Sequence, residues 1–284
     1  MNQKIRYLMK NKMSDRLKKV VDEWNKISDS EWYMSYRQDK VINEILSNPK
    51  NIFHEKTWEI IRQNLPNLEG KKVLVPSSGD NRAVFAFAAL GADVTSCDIC
   101  EKQLIYAKKI AEVKNLSIKF QVEDTMKLES IPSNEFDLVY TSEGVFVWID
   151  DLNGMFQNIF RVLKNGGLYI NFEIHPFTRP FAYDDGRPNG KEIRIRNDYN
   201  SIGPFSDGTE FHWRMQDILN SLCNSGIVLK HLEEMHDEHE KGHFWFYEEE
   251  REKMSKNEID SYYDIVKNPL SALPQWFSVC GQKK

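Results

Sequence analysis

The chain has 284 residues, of which 40% are hydrophobic and 29% charged, and carries a formal net charge of −5. That length suits one large domain, or a domain with a cap, around a well-buried core. No apolar run approaches the ~18 residues of a membrane span, and four cysteines in a chain this long do not make a disulfide framework.

The amino terminus concentrates the positive charge. Residues 1 to 19 hold seven Lys or Arg and one Asp, giving +6 and leaving −11 for the remainder. Ile5, Leu8, Met9, Met13, Leu17, Val20, Val21 and Trp24 recur at helical spacing, which predicts a basic amphipathic helix. Such a helix can lie on an anionic membrane or a phosphate backbone, but more commonly packs on its own domain. The acidic remainder argues against long nucleic acids as partners. The segment lacks the apolar stretch of a signal peptide, so a cytoplasmic protein is expected.

Residues 71 to 114 read as strand, tight turn, helix, strand, acidic residue, helix. The apolar run Val73 to Val75 predicts a buried parallel strand. A turn of Pro76, Ser77, Ser78, Gly79, Asp80 and Asn81 follows, then an apolar helix from Ala83 to Leu90 that Gly91 stops. Asp93 to Cys97 predicts a second strand, with Asp98 at its carboxyl end, 19 residues after Gly79. A carboxylate at that spacing can accept hydrogen bonds from ribose hydroxyls. A dinucleotide fingerprint needs a third glycine where this chain has Arg82, which argues against NAD or FAD. Cys97 and Cys100 form a CxxC around Asp98. With no second pair to complete a zinc site, Cys97 reads as a buried strand residue.

This segment resembles the class I S-adenosylmethionine-dependent methyltransferases, whose first motif runs acidic-x-Gly-x-Gly-x-Gly after the first strand. The matching positions are Val75, Ser77, Gly79 and Asn81, so one glycine of three is kept; Ser is small, and Asn tolerates the left-handed conformation. Strands are expected at Ser117 to Val122, Glu135 to Thr141, after the Gly166-Gly167 turn, at Ile227 to Glu233 and at Trp276 to Gly281. The resemblance implies a doubly wound α/β fold with a seven-stranded mixed sheet, a helical lid over residues 1–65, a core over 66–284 and a substrate cap inserted at 176–211. It implies S-adenosylmethionine as cofactor, S-adenosylhomocysteine as product and a small-molecule methyl acceptor. Ser77 and Gly79 would hold the methionine end, Asp98 the ribose, and Asp124, Thr125 and Met126 the adenine, with Asn81, Ile99 and Ser142 as further cofactor contacts.

Methyl transfer from a sulfonium is a direct displacement, so alignment and exclusion of water come first. A base is needed only for an acceptor protonated at neutral pH. Open α/β sheets bind ligands beyond the carboxyl ends of their strands, which singles out Glu143 after the fourth strand and His175 after the fifth as groups that could take a proton. His212, before a helix expected at Gln216 to Asn224, is a further candidate. Trp24, Trp32, Tyr33, Tyr36 and Arg37 either wall a pocket, where aromatic rings can meet a sulfonium, or pack the lid. His231, His236, His239 and His243 lack a metal-ligand register and read as a solvated connection. Two other functions compete: a methyltransferase-like protein that binds cofactor without turnover, and a nicotinamide oxidoreductase.

Overall fold

The computed structural model describes residues 13–181, 194–246 and 250–284, with the backbone alone at 183–184, 187–188 and 248–249. Ile5, Leu8 and Met9 of the expected basic helix, and Lys191 to Ile193 of a short strand expected at Lys191 to Arg196, lie outside the described residues. Of Arg194 to Arg196, only Ile195 pairs, in an isolated antiparallel bridge with Phe181, and no strand forms there among the described residues.

Seven strands form one sheet: β1 (Lys72–Val75), β2 (Asp93–Asp98), β3 (Ile118–Val122), β4 (Phe136–Ser142), β5 (Leu163–Ile174), β6 (Ile227–Met235) and β7 (Trp276–Lys283). Their spatial order is β3-β2-β1-β4-β5-β7-β6. β1 to β5 pair in parallel, and β7 runs antiparallel to both of its neighbours. The chain leaves β1 toward β2 and β3 on one side and crosses back to β4 and β5 on the other. The carboxyl ends of β1 and β4 therefore flank the switch point where such sheets open a crevice for ligands.

Period-two alternation sets the two faces of the sheet. Val73 and Val75 pack with Phe85, Phe87, Ile61 and Tyr140 in one buried cluster. Leu74 points the other way and joins Val139, Met155, Phe156, Tyr169 and Phe277 in a second. Helices cover both faces because each presents an apolar stripe to one of these clusters.

Among the described residues, four α-helices precede the sheet: α1 (Asp15–Ile27), α2 (Glu31–Ser35), α3 (Asp39–Ser47) and α4 (Glu55–Asn64). Ser14 caps α1 by accepting from the Leu17 N–H at 3.2 Å, and Leu17 and Val20 are its buried residues. Within the core run α5 (Arg82–Ala89), α6 (Glu101–Lys114), α7 (Leu152–Val162) and α8 (Met215–Asn224), then α9 (Glu248–Arg251) and α10 (Lys256–Tyr263). α7 starts where Asp151 accepts from the Gly154 N–H at 2.9 Å.

One boundary differs from the sequence reading. β5 begins at Leu163, ahead of the Gly166-Gly167 pair, because Leu163 already pairs with Phe136 before the register jumps to Leu168 opposite Leu138. The glycines form an irregularity inside the strand. A Cβ on Gly167 would stand 2.9 Å from the carbonyl oxygens of both Lys164 and Phe136. Gly167→Ala should therefore cost about 1–3 kcal/mol as an overpacked site, read as a lower midpoint in urea unfolding; an unchanged midpoint would show that the irregularity relaxes freely.

Candidate functional site

The turn after β1 has positive φ at each place where the motif would put glycine: 51° at Ser77, 52° at Gly79 and 67° at Asn81. Two of those residues carry side chains, and hydrogen bonds hold both. Ser77 Oγ lies 2.7 Å from Thr125 Oγ1. Asn81 Nδ2 donates to the Gly79 carbonyl at 2.7 Å, and its Oδ1 accepts from Ser96 Oγ at 2.6 Å. Asn81 is thus buried beneath the turn and is not part of the cavity lining. At Gly79 a Cβ would stand 2.9 Å from the Tyr33 hydroxyl, so the close approach of α2 also requires glycine there.

Asp98 ends β2 with 8% exposure. Its Oδ2 accepts from the Gly79 N–H at 2.9 Å and its Oδ1 from the Cys100 N–H at 2.8 Å. No cation pairs with it among the described residues. Burial pushes its carboxyl up to about 6, with the two N–H donors holding it back. Each oxygen keeps a further lone pair.

A cavity of about 330 Å³ opens above these groups. Ser77, Gly79, Asp98, Ile99, Asp124, Thr125, Met126, Ser142 and Glu143 all line it. Asp124 accepts from the Met126 N–H at 3.0 Å through Oδ1. Its Oδ2 is buried without a hydrogen bond, with Lys127 Nζ 3.5 Å away, and burial raises its carboxyl. Two acidic groups with spare acceptor capacity, beside a turn too tight for side chains, fit an adenosyl group with its hydroxyl and amino donors.

The N-terminal helices form the opposite wall. Trp24, Trp32, Tyr33 and Tyr36 line the cavity as a run of edge-to-face contacts, with Trp24 5.8 Å from Tyr33 and 5.5 Å from Trp148 between ring centroids. Arg16 ties α1 to the core through the Trp148 and Thr209 carbonyls and lies 3.4 Å from Asp150. Arg37 donates to the Ser28 carbonyl at 2.6 Å and stacks over Tyr106 at 4.4 Å.

Arg82, which argued against a dinucleotide in the sequence, has a structural use. Its Nε donates to Asp80 Oδ2 at 2.6 Å, its Nη2 to Glu143 Oε2 at 3.0 Å, and its guanidinium lies 4.1 Å over the Tyr36 ring. Burial alone would weaken the charge, but Asp80 and Glu143 outweigh it and the pKa is raised. Glu143 sits at φ +61° between β4 and Gly144, a conformation costly for a side-chain-bearing residue. The loop is held by Glu173, buried on β5, whose Oε1 accepts from the Gly144 N–H at 2.7 Å and Oε2 from the Phe146 N–H at 3.2 Å. His243 Nε2 lies 3.7 Å from Glu143 Oε2.

The structure does not bring the other two histidine candidates to the cavity. His175 is fully buried. Its Nδ1 accepts from the Phe177 N–H at 3.2 Å and its Nε2 donates to Glu234 Oε1 at 2.7 Å, so both ring nitrogens are engaged. His212 stacks on Phe205, 4.4 Å between centroids, with Nε2 3.7 Å from Glu210. Neither lines the cavity. Arg179, within the expected cap at 176–211, lines it, as does His243, which the sequence reading had put in a solvated connection; Phe244 and Trp276 also line it, and sequence reading missed them as site residues.

Residues 74–171 match the family model described as a methyltransferase domain. Among curated relatives, sterol 24-C-methyltransferase of Aspergillus fumigatus is 32% identical over 60% of this chain and 43% of its own length. An uncharacterised methyltransferase of Bacillus subtilis, YbaJ, is 29% identical over 72% of this chain and 85% of its own. The chain therefore spans less than half of the sterol enzyme it matches. Among solved structures, an S-adenosylmethionine-dependent methyltransferase from Mesorhizobium loti superposes with a TM-score of 0.59 at 21% identity, covering 84% of this chain and all of that one. Geranyl diphosphate C-methyltransferase from Streptomyces coelicolor, in complex with S-adenosyl-L-homocysteine, superposes with a TM-score of 0.55 at 12% identity, covering 87% of this chain and 84% of that one. The match over residues 74–171 gives this chain a methyltransferase domain, and the superposed structures share its fold with S-adenosylmethionine-dependent methyltransferases.

Proposed function

We propose that this protein transfers the methyl group of S-adenosylmethionine to a small-molecule acceptor bound in the same cavity. The observation that carries the reading is the juxtaposition, in one cavity of about 330 Å³, of the Gly79 turn, Asp98 and Asp124 with an aromatic wall supplied by residues 17–36. The volume suits a compact ligand, and the named relatives act on small organic molecules: sterols in one case, geranyl diphosphate in another.

In this reading Asp98 accepts from the ribose hydroxyls, Ser77 and Gly79 border the methionine end, and Asp124 with Met126 meets the adenine. Thr125, Ile99 and Ser142 complete the wall, and Asn81 acts from beneath by fixing the turn. The cofactor supplies an electrophilic methyl group. The chain supplies alignment, and the helices of the 1–65 segment act as a lid that excludes water from the displacement. Glu143, oriented by Arg82, faces the acceptor and takes its proton where the nucleophile carries one. His175 serves to fix the backbone after β5, because neither of its nitrogens is free for an acceptor.

Two outcomes are expected. Ribose hydroxyls bind the ionised carboxylate, so the complex lowers the Asp98 pKa below its free value of about 6. Affinity for S-adenosylhomocysteine should then be flat above pH 7 and fall as pH drops through 6, by up to about tenfold per unit. Asp98→Asn should weaken binding and flatten that dependence in calorimetric titrations; a wild-type profile with no inflection near pH 6 would remove the ribose assignment.

The second outcome concerns turnover. Incubation with methyl-labelled S-adenosylmethionine and a panel of phenols, carboxylic acids and amines should release S-adenosylhomocysteine with at least one class. Glu143→Gln should slow that release by about a hundredfold, the scale of a lost general base. Protein that binds the cofactor but never releases product with any class would instead be a cofactor-binding protein without turnover.

A further inference from the structure

Among the described residues, each charged or imidazole side chain that lines the cavity takes part in a hydrogen bond or ion pair, with one exception. Asp80 and Glu143 share Arg82, and His243 approaches Glu143. Asp98 is held by two N–H groups, and Asp124 by the Met126 N–H. Arg179 also lines the cavity, yet its guanidinium makes no hydrogen bond or ion pair among the described residues. Its charge bears on Glu173 and Glu210 through space, but Glu173 is engaged with the N–H groups of Gly144, Phe146 and Ile174, and Glu210 lies beside His212.

The backbone that presents Arg179 is fixed. His175 is anchored by its N–H to the Gln275 carbonyl at 2.8 Å and by its ring to Glu234 and to the Phe177 N–H. Thr178 Oγ1 donates to the His175 carbonyl at 2.9 Å, and the Arg179 N–H donates to the Pro176 carbonyl at 3.1 Å. A turn tied at this many points fixes the backbone from which Arg179 reaches the cavity. Ile174, Phe244 and Trp276 line the cavity with it, with His243 packed on Trp276, so one guanidinium stands at a largely apolar and aromatic wall.

An unmatched guanidinium in a partly desolvated cavity is a site for a planar anion, because its donors pair with a carboxylate or phosphate two at a time. Given the methyltransferase reading above, on which this inference rests, we propose that the methyl acceptor is an anion with an apolar body, and that Arg179 determines specificity by holding its carboxylate or phosphate group. Arg82 bonds both Asp80 and Glu143 and offsets one of their two charges, so the pairing with Arg179 must outweigh the one that is left. The apolar body lies against Trp276, Phe244 and Ile174, which leaves the nucleophile to be presented toward Glu143.

The test uses the full chain loaded with S-adenosylhomocysteine, so that probes cannot occupy the cofactor half. Benzoate, phenyl phosphate, benzamide and benzylamine are titrated separately and followed by calorimetry. One of the two anions should bind at least about tenfold more tightly than the neutral and cationic probes, as a charge-assisted pair requires; which anion binds separates a carboxylate from a phosphate. Arg179→Met should abolish that preference and Arg179→Lys should keep part of it, both with unchanged affinity for S-adenosylhomocysteine as the check on folding. Equal binding of benzamide or benzylamine, no anion binding in the millimolar range, or undiminished anion binding by Arg179→Met would overturn the inference while leaving the cofactor reading intact. Failure to bind S-adenosylhomocysteine at all would bring down both.

Discussion

The carboxylate of Asp98 is the constraint on which the rest of the site depends. It is buried at the end of β2 with no cation paired to it among the described residues, a placement that costs free energy unless its oxygens are hydrogen-bonded. The donors it finds are the backbone N–H groups of Gly79 and Cys100. One belongs to the turn after β1 and the other to the entry of α6, so a single side chain joins the two βα turns that border the cavity. The left-handed conformations of Ser77, Gly79 and Asn81 present the Gly79 N–H to that oxygen. Ser96, Asn81 and Thr125 hold those conformations from below and beside. The free energy of burying the charge is thereby offset, and a raised pKa leaves a group ready to gain from hydroxyl donors.

Around that fixed turn, the cavity is closed by contacts from distant parts of the chain. A Cβ on Gly79 would stand 2.9 Å from the Tyr33 hydroxyl, and this close approach ties the N-terminal helices to the motif itself. Arg82 then links Asp80 of the turn, Glu143 after β4 and Tyr36 of the N-terminal segment. The same arginine excludes the tight helix packing of a dinucleotide fold and builds a joint between three walls. A long cation at this position is useful because two carboxylates converge on it and outweigh the cost of its burial.

Much of the fold could be read from the sequence because burial on both faces turns parallel strands into short apolar runs. β1, β2, β3, β4 and β7 begin within one residue of the expected positions. The start of β5 was missed because pairing resumes on either side of the Gly166-Gly167 irregularity, a property of the register with β4 and not of local propensity. In the site, Ser77, Gly79, Asp98, Asp124 and Glu143 share one cavity as their places after consecutive strands require. His175 and His212 are expected near the site from their places after the fifth strand and before α8, yet neither lines the cavity. A histidine's use is set by what meets its nitrogens: Glu234 on β6 meets His175 from far along the chain, and the neighbouring Glu210 lies beside His212. Phe244 and Trp276 reach the cavity only through tertiary packing, so spacing along the chain carries no trace of them.

The central claim is that the turn and Asp98 form an adenosyl site, and thermal unfolding in the presence of excess S-adenosylmethionine, S-adenosylhomocysteine or NAD tests it most directly. A ligand at about 100 times its dissociation constant adds about 2.7 kcal/mol to stability, which in a domain near this size raises the midpoint by roughly 5–10 °C. The account predicts that rise with both adenosyl compounds and none with NAD. A rise with NAD alone, or with none of the three, would contradict it.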